Sequence, residues 1–362
     1  MEEIRERVNG RKWAWIISHL DYDHFSIIEA LWRDGRINPP DVVILPASYN
    51  VKLCRDAVSY LYAYMMLLSH IEKIQPPGWI EIFDRLSNTR KLFVEKGHRI
   101  KAGPLEYLVL WPSRDYAEQN CEKVLKEPVL KELKDKIESF CGAHENKEYK
   151  NIADKAREEA CKEAEKAREK ILEGLSKNTV QVYGNIIDLE ELLTEDRNRD
   201  SYPQREGSRK PENDVASKDK ASIILYSKVR NLNSIAYVLK AGFPCELRVF
   251  ERVKRRKYSV FFDYYYGYDV LLYLGDLSDE ELDKALENYF GLTENKRLLV
   301  EVAPHHGNSY SRYLKQLNPA PVYLSRCNKH YRYPNRYEKY YHGSVVIVSG
   351  HTRGVDISYY KV

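Results

Sequence analysis

Ser18-His19-Leu20-Asp21-Tyr22-Asp23-His24 follows directly on the apolar run Trp13-Ala14-Trp15-Ile16-Ile17. Four side chains able to ligate a metal, at 19, 21, 23 and 24, fall within six residues. A turn leaving a strand end can aim several such groups into one space, whereas helical spacing does not gather this set on one face. Imidazole and carboxylate ligands together suit zinc, manganese or iron(II). Two further apolar runs end in the same way. Residues 271–274 lead into Gly275-Asp276, and residues 298–303 lead into Pro304-His305-His306-Gly307. A single Asp at a strand end is ordinarily a helix cap, and a single His is ordinarily a surface group. Three strand ends bearing ligand-type side chains point instead to a metal site.

Working outward, residues 13–18 read as a buried strand, 25–34 as a helix, 42–45 as a second buried strand stopped by Pro46, and 51–74 as a long helix. Alternation of strand and helix indicates an α/β fold. Residues 98–101 and 105–111 read as a hairpin about a Gly103-Pro104 turn. From 116 to 175 the composition shifts to Lys, Glu and Ala. Val129, Leu133, Ile137 and Phe140 recur at helical spacing, as do Ala153, Ala156, Ala160, Ala164, Ala167, Ile171 and Leu175. Two amphipathic helices are expected, forming a projecting hairpin broken near Gly142. Residues 194–220 carry charges of both signs and almost no aliphatic side chains, which predicts a linker. Strands are expected at 221–227, 245–250, 258–263, 269–274 and 298–303. A helix is expected at 278–290, opened by a capping box of Ser278 and Glu281. A helix near 309–317 and strands at 321–324, 344–348 and 355–360 close the chain.

The chain has 362 residues, 43% hydrophobic and 31% charged, with a net charge of +4. That charge neither demands nor excludes nucleic acid. No run of eighteen apolar residues marks a membrane span, and residues 1–11 lack the apolar stretch of a signal peptide, so a cytoplasmic protein is expected. Cys54, Cys121, Cys141, Cys161, Cys245 and Cys327 are scattered without a Cys-x-x-Cys pair, so neither a structural zinc nor a disulfide framework is expected. The Lys, Arg and Glu content with few Met would suit a thermophile.

The motifs together resemble the metallo-β-lactamase superfamily, and within it the hydrolase-like domain of the ComEC type. The superfamily carries His-x-His-x-Asp-His after a strand, and the ComEC-like branch often has Asp at the second His, as Asp21 is here. Residues 108–112 (Leu-Val-Leu-Trp-Pro) resemble that branch's strand ending in Trp-Pro. Residues 219–225 resemble its Asn-Asp-x-Ser strand, 272–276 its Leu-Thr-Gly-Asp, and 304–307 are its Pro-His-His-Gly. Residues 319–325 and 352–354 resemble its closing segments. The likeness covers about 10–112 and 218–362, leaving the helical stretch as an insertion.

The resemblance implies an αββα sandwich with metals at one edge of its two sheets. His19 and Asp21 would hold one ion, Asp23, His24 and His305 the other, and Asp276 would bridge them. One or two divalent ions, zinc or manganese, would activate a water for attack on phosphorus or carbonyl, with Asp23 orienting that water. His306 would contact substrate or support the ligands. Three departures stand out. The superfamily's third-motif His has no counterpart. Only about twelve residues precede the first strand, where the family has an opening hairpin. The family's Tyr-Gly-His-Pro reads Tyr331-Arg332-Tyr333-Pro334. The shortened start predicts an oligomer or a protein partner beside the strand at 13–18, with the apolar segments at 79–83 and 180–187 as internal alternatives.

Residues 326–342 interleave cations with tyrosines, a pattern that either stacks single-stranded nucleic acid or forms a solvated helix with a tyrosine face. Tyr331, Arg332 and Tyr333 are accordingly candidate substrate contacts. The basic run 252–257 could meet phosphates or be a solvated hairpin turn. His351 is placed outside the metal set because it lies between two terminal strands. The expected organisation is a first part of a metallo-β-lactamase-like domain at 1–115, a helical insertion at 116–193, a flexible linker at 194–218, and the second part at 219–362. The expected function is a metal-dependent hydrolase, a phosphodiesterase or nuclease using Asp23, Asp276 and His306. The alternative is a scaffold protein with a degenerate site that docks a partner through the insertion.

Overall fold

The computed structural model describes residues 2–20, 22–71, 81–126, 131, 135, 137, 141, 152–194, 234–241, 245–253, 256–263, 269–293, 298–302, 304–307, 309, 311–317, 322–325, 345–348 and 353–359. The fold is α/β, with one parallel sheet and one large mixed sheet. The chain forms two compact units. The first takes the chain up to Val94 and Ser113–Gln181; the second takes Glu95–Pro112, Val182–Leu192 and the chain from Ser234 onward. Strand pairing sets this division, as the second unit shows.

In the first unit, β1 (Ala14–Ile16), β2 (Val42–Pro46), β3 (Arg90–Val94) and β6 (Thr179–Val180) lie parallel in that order. Trp15 pairs with Val43, and Ile44 with Leu92. Val42, Val43, Ile44 and Leu45 have no exposed surface, as expected of a parallel strand covered on both faces. The helices are α1 (Glu2–Val8), α2 (Tyr22–Arg33), α3 (Lys52–Ile71), α4 (Glu81–Ser87), α5 (Arg114–Lys126) and α6 (Ile152–Ser176). Ile4 and Val8 of α1 pack on the core that Trp15, Phe25, Leu31, Trp32, Tyr62 and Phe83 build. A helix therefore covers this core ahead of β1. Among the described residues, neither internal alternative pairs with β1. Residues 81–83 are helical, Val180 pairs with Leu92 of β3, and Ile186 and Ile187 pair with Arg99 and Ile100.

The second of the helices expected to project instead packs into this unit. Ala160, Ala164 and Ala167 of α6 meet Ala63, Met66 and Leu67 of α3, and Ile171 and Leu175 enter the main core. A stripe of alanines lets two helices approach closely, so narrowness aids burial here. Gly174 shows the same closeness, since a Cβ there would meet the Phe83 carbonyl oxygen at 2.5 Å. Ile137 is partly buried against the same cores, while Val129, Leu133, Phe140 and the break near Gly142 lie outside the described residues. Cysteine usage requires a correction. Cys54 of α3 is disulfide-bonded to Cys121 of α5, and Cys141 to Cys161 of α6, with Cα–Cα distances of 5.2 and 5.8 Å. The partners come from separate helices, so linear spacing carried no sign of them.

The second unit holds an eight-stranded sheet of order β14-β13-β12-β11-β8-β5-β4-β7. Its strands are β4 (Arg99–Ala102), β5 (Leu105–Trp111), β7 (Ile186–Asp188), β8 (Ala236–Ala241), β11 (Asp269–Tyr273), β12 (Leu298–Val302), β13 (Val322–Ser325) and β14 (Val345–Val348). The expected hairpin forms, with Gly103 at φ +57°, and β5 then pairs antiparallel with β8. That pairing carries residues 99–111 into this unit. Runs β11 to β14 are mutually parallel. A separate sheet joins β9 (Cys245–Val253), β10 (Arg256–Asp263) and β15 (Arg353–Tyr359) in the order β10-β9-β15. β15 pairs with β9 and, among the described residues, not with β14, so the expected terminal strand pair does not form; His351 lies outside the described residues.

Between the strands lie α7 (Leu189–Thr194) and α8 (Asp279–Leu292). Leu282, Ala285, Leu286 and Tyr289 of α8 are fully buried. Ser278 is its N-cap, but its side chain makes no capping bond, so the expected capping box is not formed. The expected helix at 309–317 is a short 3-10 turn, Arg312–Gln316, whose start is capped by Ser311 accepting from the Tyr313 amide at 3.1 Å. Strand β8 was not anticipated, and the expected strand at 221–227 and the linker beyond Thr194 lie outside the described residues. Among the described residues no helix is long and apolar enough to cross a membrane.

Candidate metal centre

The first group of site residues follows β1. Ile17 continues the pairing by donating its amide to the Ile44 carbonyl at 3.0 Å. Leu20 is then buried, and two tyrosines satisfy its backbone. Its amide donates to Tyr49 Oη at 3.1 Å, and its carbonyl accepts from Tyr62 Oη at 2.9 Å. Buried backbone groups need such partners, so these hydroxyls fix the path of the turn. α2 begins at Tyr22. Asp23 and His24 therefore belong to its first turn, not to a loop, and the chain reverses within a few residues.

The result is a pair of imidazoles. The rings of His19 and His24 have centroids 4.1 Å apart and are tilted by 48°. One ligand nitrogen of each lies within 4.8 Å of the other's. Ser18 Oγ is 3.2 Å from His19 Nδ1 and 3.1 Å from His24 Nδ1. His19 has no exposed surface and His24 is half-buried. Asp21 lies outside the described residues, and Asp23 is placed only by its backbone in α2.

The second group follows two neighbouring parallel strands. Leu271 pairs with Val300 and Tyr273 with Val302, so β11 and β12 end at the same sheet edge. Gly275 then turns at φ +57°. A side chain there would meet Ser234 Cβ at 2.8 Å and the Ile235 carbonyl at 3.1 Å, so both conformation and space call for glycine. The Asp276 amide donates to Ser234 Oγ at 3.1 Å, and Asp276 is 5% exposed. The His305 amide donates to the Gly275 carbonyl at 2.9 Å, tying the two strand ends together.

No family model, curated protein or solved structure matches this chain.

His305 adopts φ +47°, in the left-handed region. Such a conformation costs a non-glycine residue of the order of 1 kcal/mol and concentrates at functional sites. Its Nδ1 lies 3.4 Å from Ser309 Oγ. His306 belongs to the same 3-10 turn, Pro304–Gly307. Tyr331, Arg332 and Tyr333 lie outside the described residues. Of the basic run, Arg252 lies one residue before the end of β9 and pairs across the hairpin with Lys257 of β10.

Each group joins oxygen or nitrogen donors that the linear sequence separates. Imidazole nitrogens from His19 and His24, and a carboxylate and imidazole from Asp276 and His305, are donor types that fit a zinc or manganese ion. The supporting residues Ser18, Tyr49, Tyr62, Ser234 and Ser309 were not singled out from sequence. Ser18 adjoins the motif and could have been noticed. Ser234 had no signal at all, because it meets Asp276 across 42 positions.

Proposed function

We propose that this chain is a divalent-metal hydrolase of the metallo-β-lactamase type, acting on phosphodiesters of nucleic acid or nucleotides. The observation that carries the proposal is the close His19–His24 pair after β1, with His19 fully buried and His24 half-buried. The residues proposed to hold the ions are His19, Asp21, Asp23, His24, Asp276 and His305. A bound divalent ion supplies a low-pKa water and neutralises charge on the oxygens of the scissile group. Asp23 would orient that water, and His306 would contact the substrate. The αββα sandwich belongs to the same proposal. Each unit's sheet-and-helix content and the parallel β11–β12 pair support it.

The test is metal analysis of the purified protein together with assays on single-stranded DNA, RNA and cyclic nucleotides. Bound zinc or manganese with metal-dependent cleavage is expected. Protein that takes up no divalent ion would leave the scaffold alternative standing.

A further inference from the structure

We propose that Ser18 is a positioning residue that turns the Nε2 atoms of both His19 and His24 toward the divalent-metal site. This rests on the metal reading above. A serine hydroxyl has one proton and two lone pairs. Ser18 Oγ is within hydrogen-bond reach of Nδ1 on both rings, at 3.2 and 3.1 Å. The rings share this one oxygen through their Nδ1 edges, while both Nε2 atoms are shielded from solvent.

Metal-ligating imidazoles use one nitrogen for the ion and donate from the other. When both Nε2 atoms are ligands, both Nδ1 atoms carry protons, and both need an acceptor. The two lone pairs of Ser18 serve both at once. The hydroxyl proton then leaves the pair and points elsewhere. In the absence of metal, the same hydroxyl can donate to one Nδ1 and accept from the other. Ser18 is 6% exposed at the end of β1, and His24 is brought back to it by the first turn of α2. The strand–helix reversal thus sets one oxygen against two rings.

Zinc affinity, measured by competition with a chromophoric chelator, tests the role. Ser18→Ala should weaken zinc binding by roughly 10–100-fold, in the range found for outer-shell partners of metal ligands. The zinc-free variant should stay folded with a lowered melting temperature, because its buried rings lose a hydrogen-bond partner, and Ser18→Thr, which keeps the hydroxyl, should restore most of the affinity. Nitrogen-15 NMR of the zinc-loaded wild type should show a protonated Nδ1 on both rings, a readout that does not depend on any variant folding. If wild type takes up no zinc, the metal reading fails and this inference with it. If wild type binds zinc but Ser18→Ala binds equally well, or either ring carries its proton on Nε2, the role of Ser18 is overturned while the metal reading stands.

Discussion

Lys91 stands within β3 with no exposed surface, and its ammonium donates to the carbonyls of Leu86 and Thr89. It thereby closes the end of α4, yet burial lowers its pKa from 10.5 to about 8. Between those values the folded lysine is neutral while the unfolded one is protonated. The unfolded state then binds more protons, so stability rises with pH across this window. Below pH 8 the burial penalty is present in full, on the order of 3 kcal/mol. Denaturant titrations from pH 7 to 10.5 should show this rise in wild type and a flatter profile in Lys91→Met; parallel profiles would refute the assignment. At the candidate site, Asp276→Ala should lower metal-dependent hydrolysis by at least about 10³-fold if the residue holds an ion that activates water. Circular dichroism should stay native. Retained turnover in folded, metal-replete variant would remove Asp276 from the site. Gly275→Ala should cost about 1–3 kcal/mol, since it adds left-handed strain to a crowded contact with Ser234. At this scale the sequence was legible where donor types cluster, as at His19 and His24. It was opaque where a backbone partner lies far away, as Ser234 does from Asp276.

Among the elements, α5 has a small apolar seat. It meets α3 through a small cluster of Val51, Cys54, Ala117 and Cys121. The disulfide between Cys54 and Cys121 spans 67 positions. Cross-links of that length typically contribute about 2–5 kcal/mol. Reduction, or Cys54→Ala with Cys121→Ala, should therefore raise amide exchange in α5 well above that of the β2 core. Equal protection with and without reductant would show that α5 needs no staple. The helices α2, α3, α6 and α8 were legible because apolar residues recur at their period. What α6 packs against was not, because an alanine stripe does not name its partner. β3 was hidden by Arg90 and Lys91, whose charges read as surface. β8 was hidden by Lys240 and Tyr237, which break the apolar run expected of a central strand. Disulfide partners were out of reach for a simpler reason. Connectivity depends on the fold and not on spacing.

For the molecule as a whole, β1 ends its sheet among the described residues. An edge strand offers open amides and carbonyls to a second chain. Self-association or a partner beside β1 is therefore expected. Sedimentation at micromolar concentration should report it, and Ala14→Lys should weaken it, since an edge lysine discourages pairing. A wild-type monomer at all concentrations would count against the expectation. The two disulfides also bear on where the protein works. Such bonds persist in oxidising compartments, and in the cytosol chiefly among hyperthermophiles. The path of the chain has a consequence for its own synthesis. The hairpin of β4 and β5 is complete at residue 111, yet its neighbour β8 starts only at Ala236. At ribosomal speed that interval lasts on the order of ten seconds. Throughout it the nascent chain carries an apolar strand whose outer edge has no partner to bond. A newborn copy is thus exposed to its neighbours on the polysome before it can be finished, and its yield in cells should depend on how quickly, and how crowded, it is made.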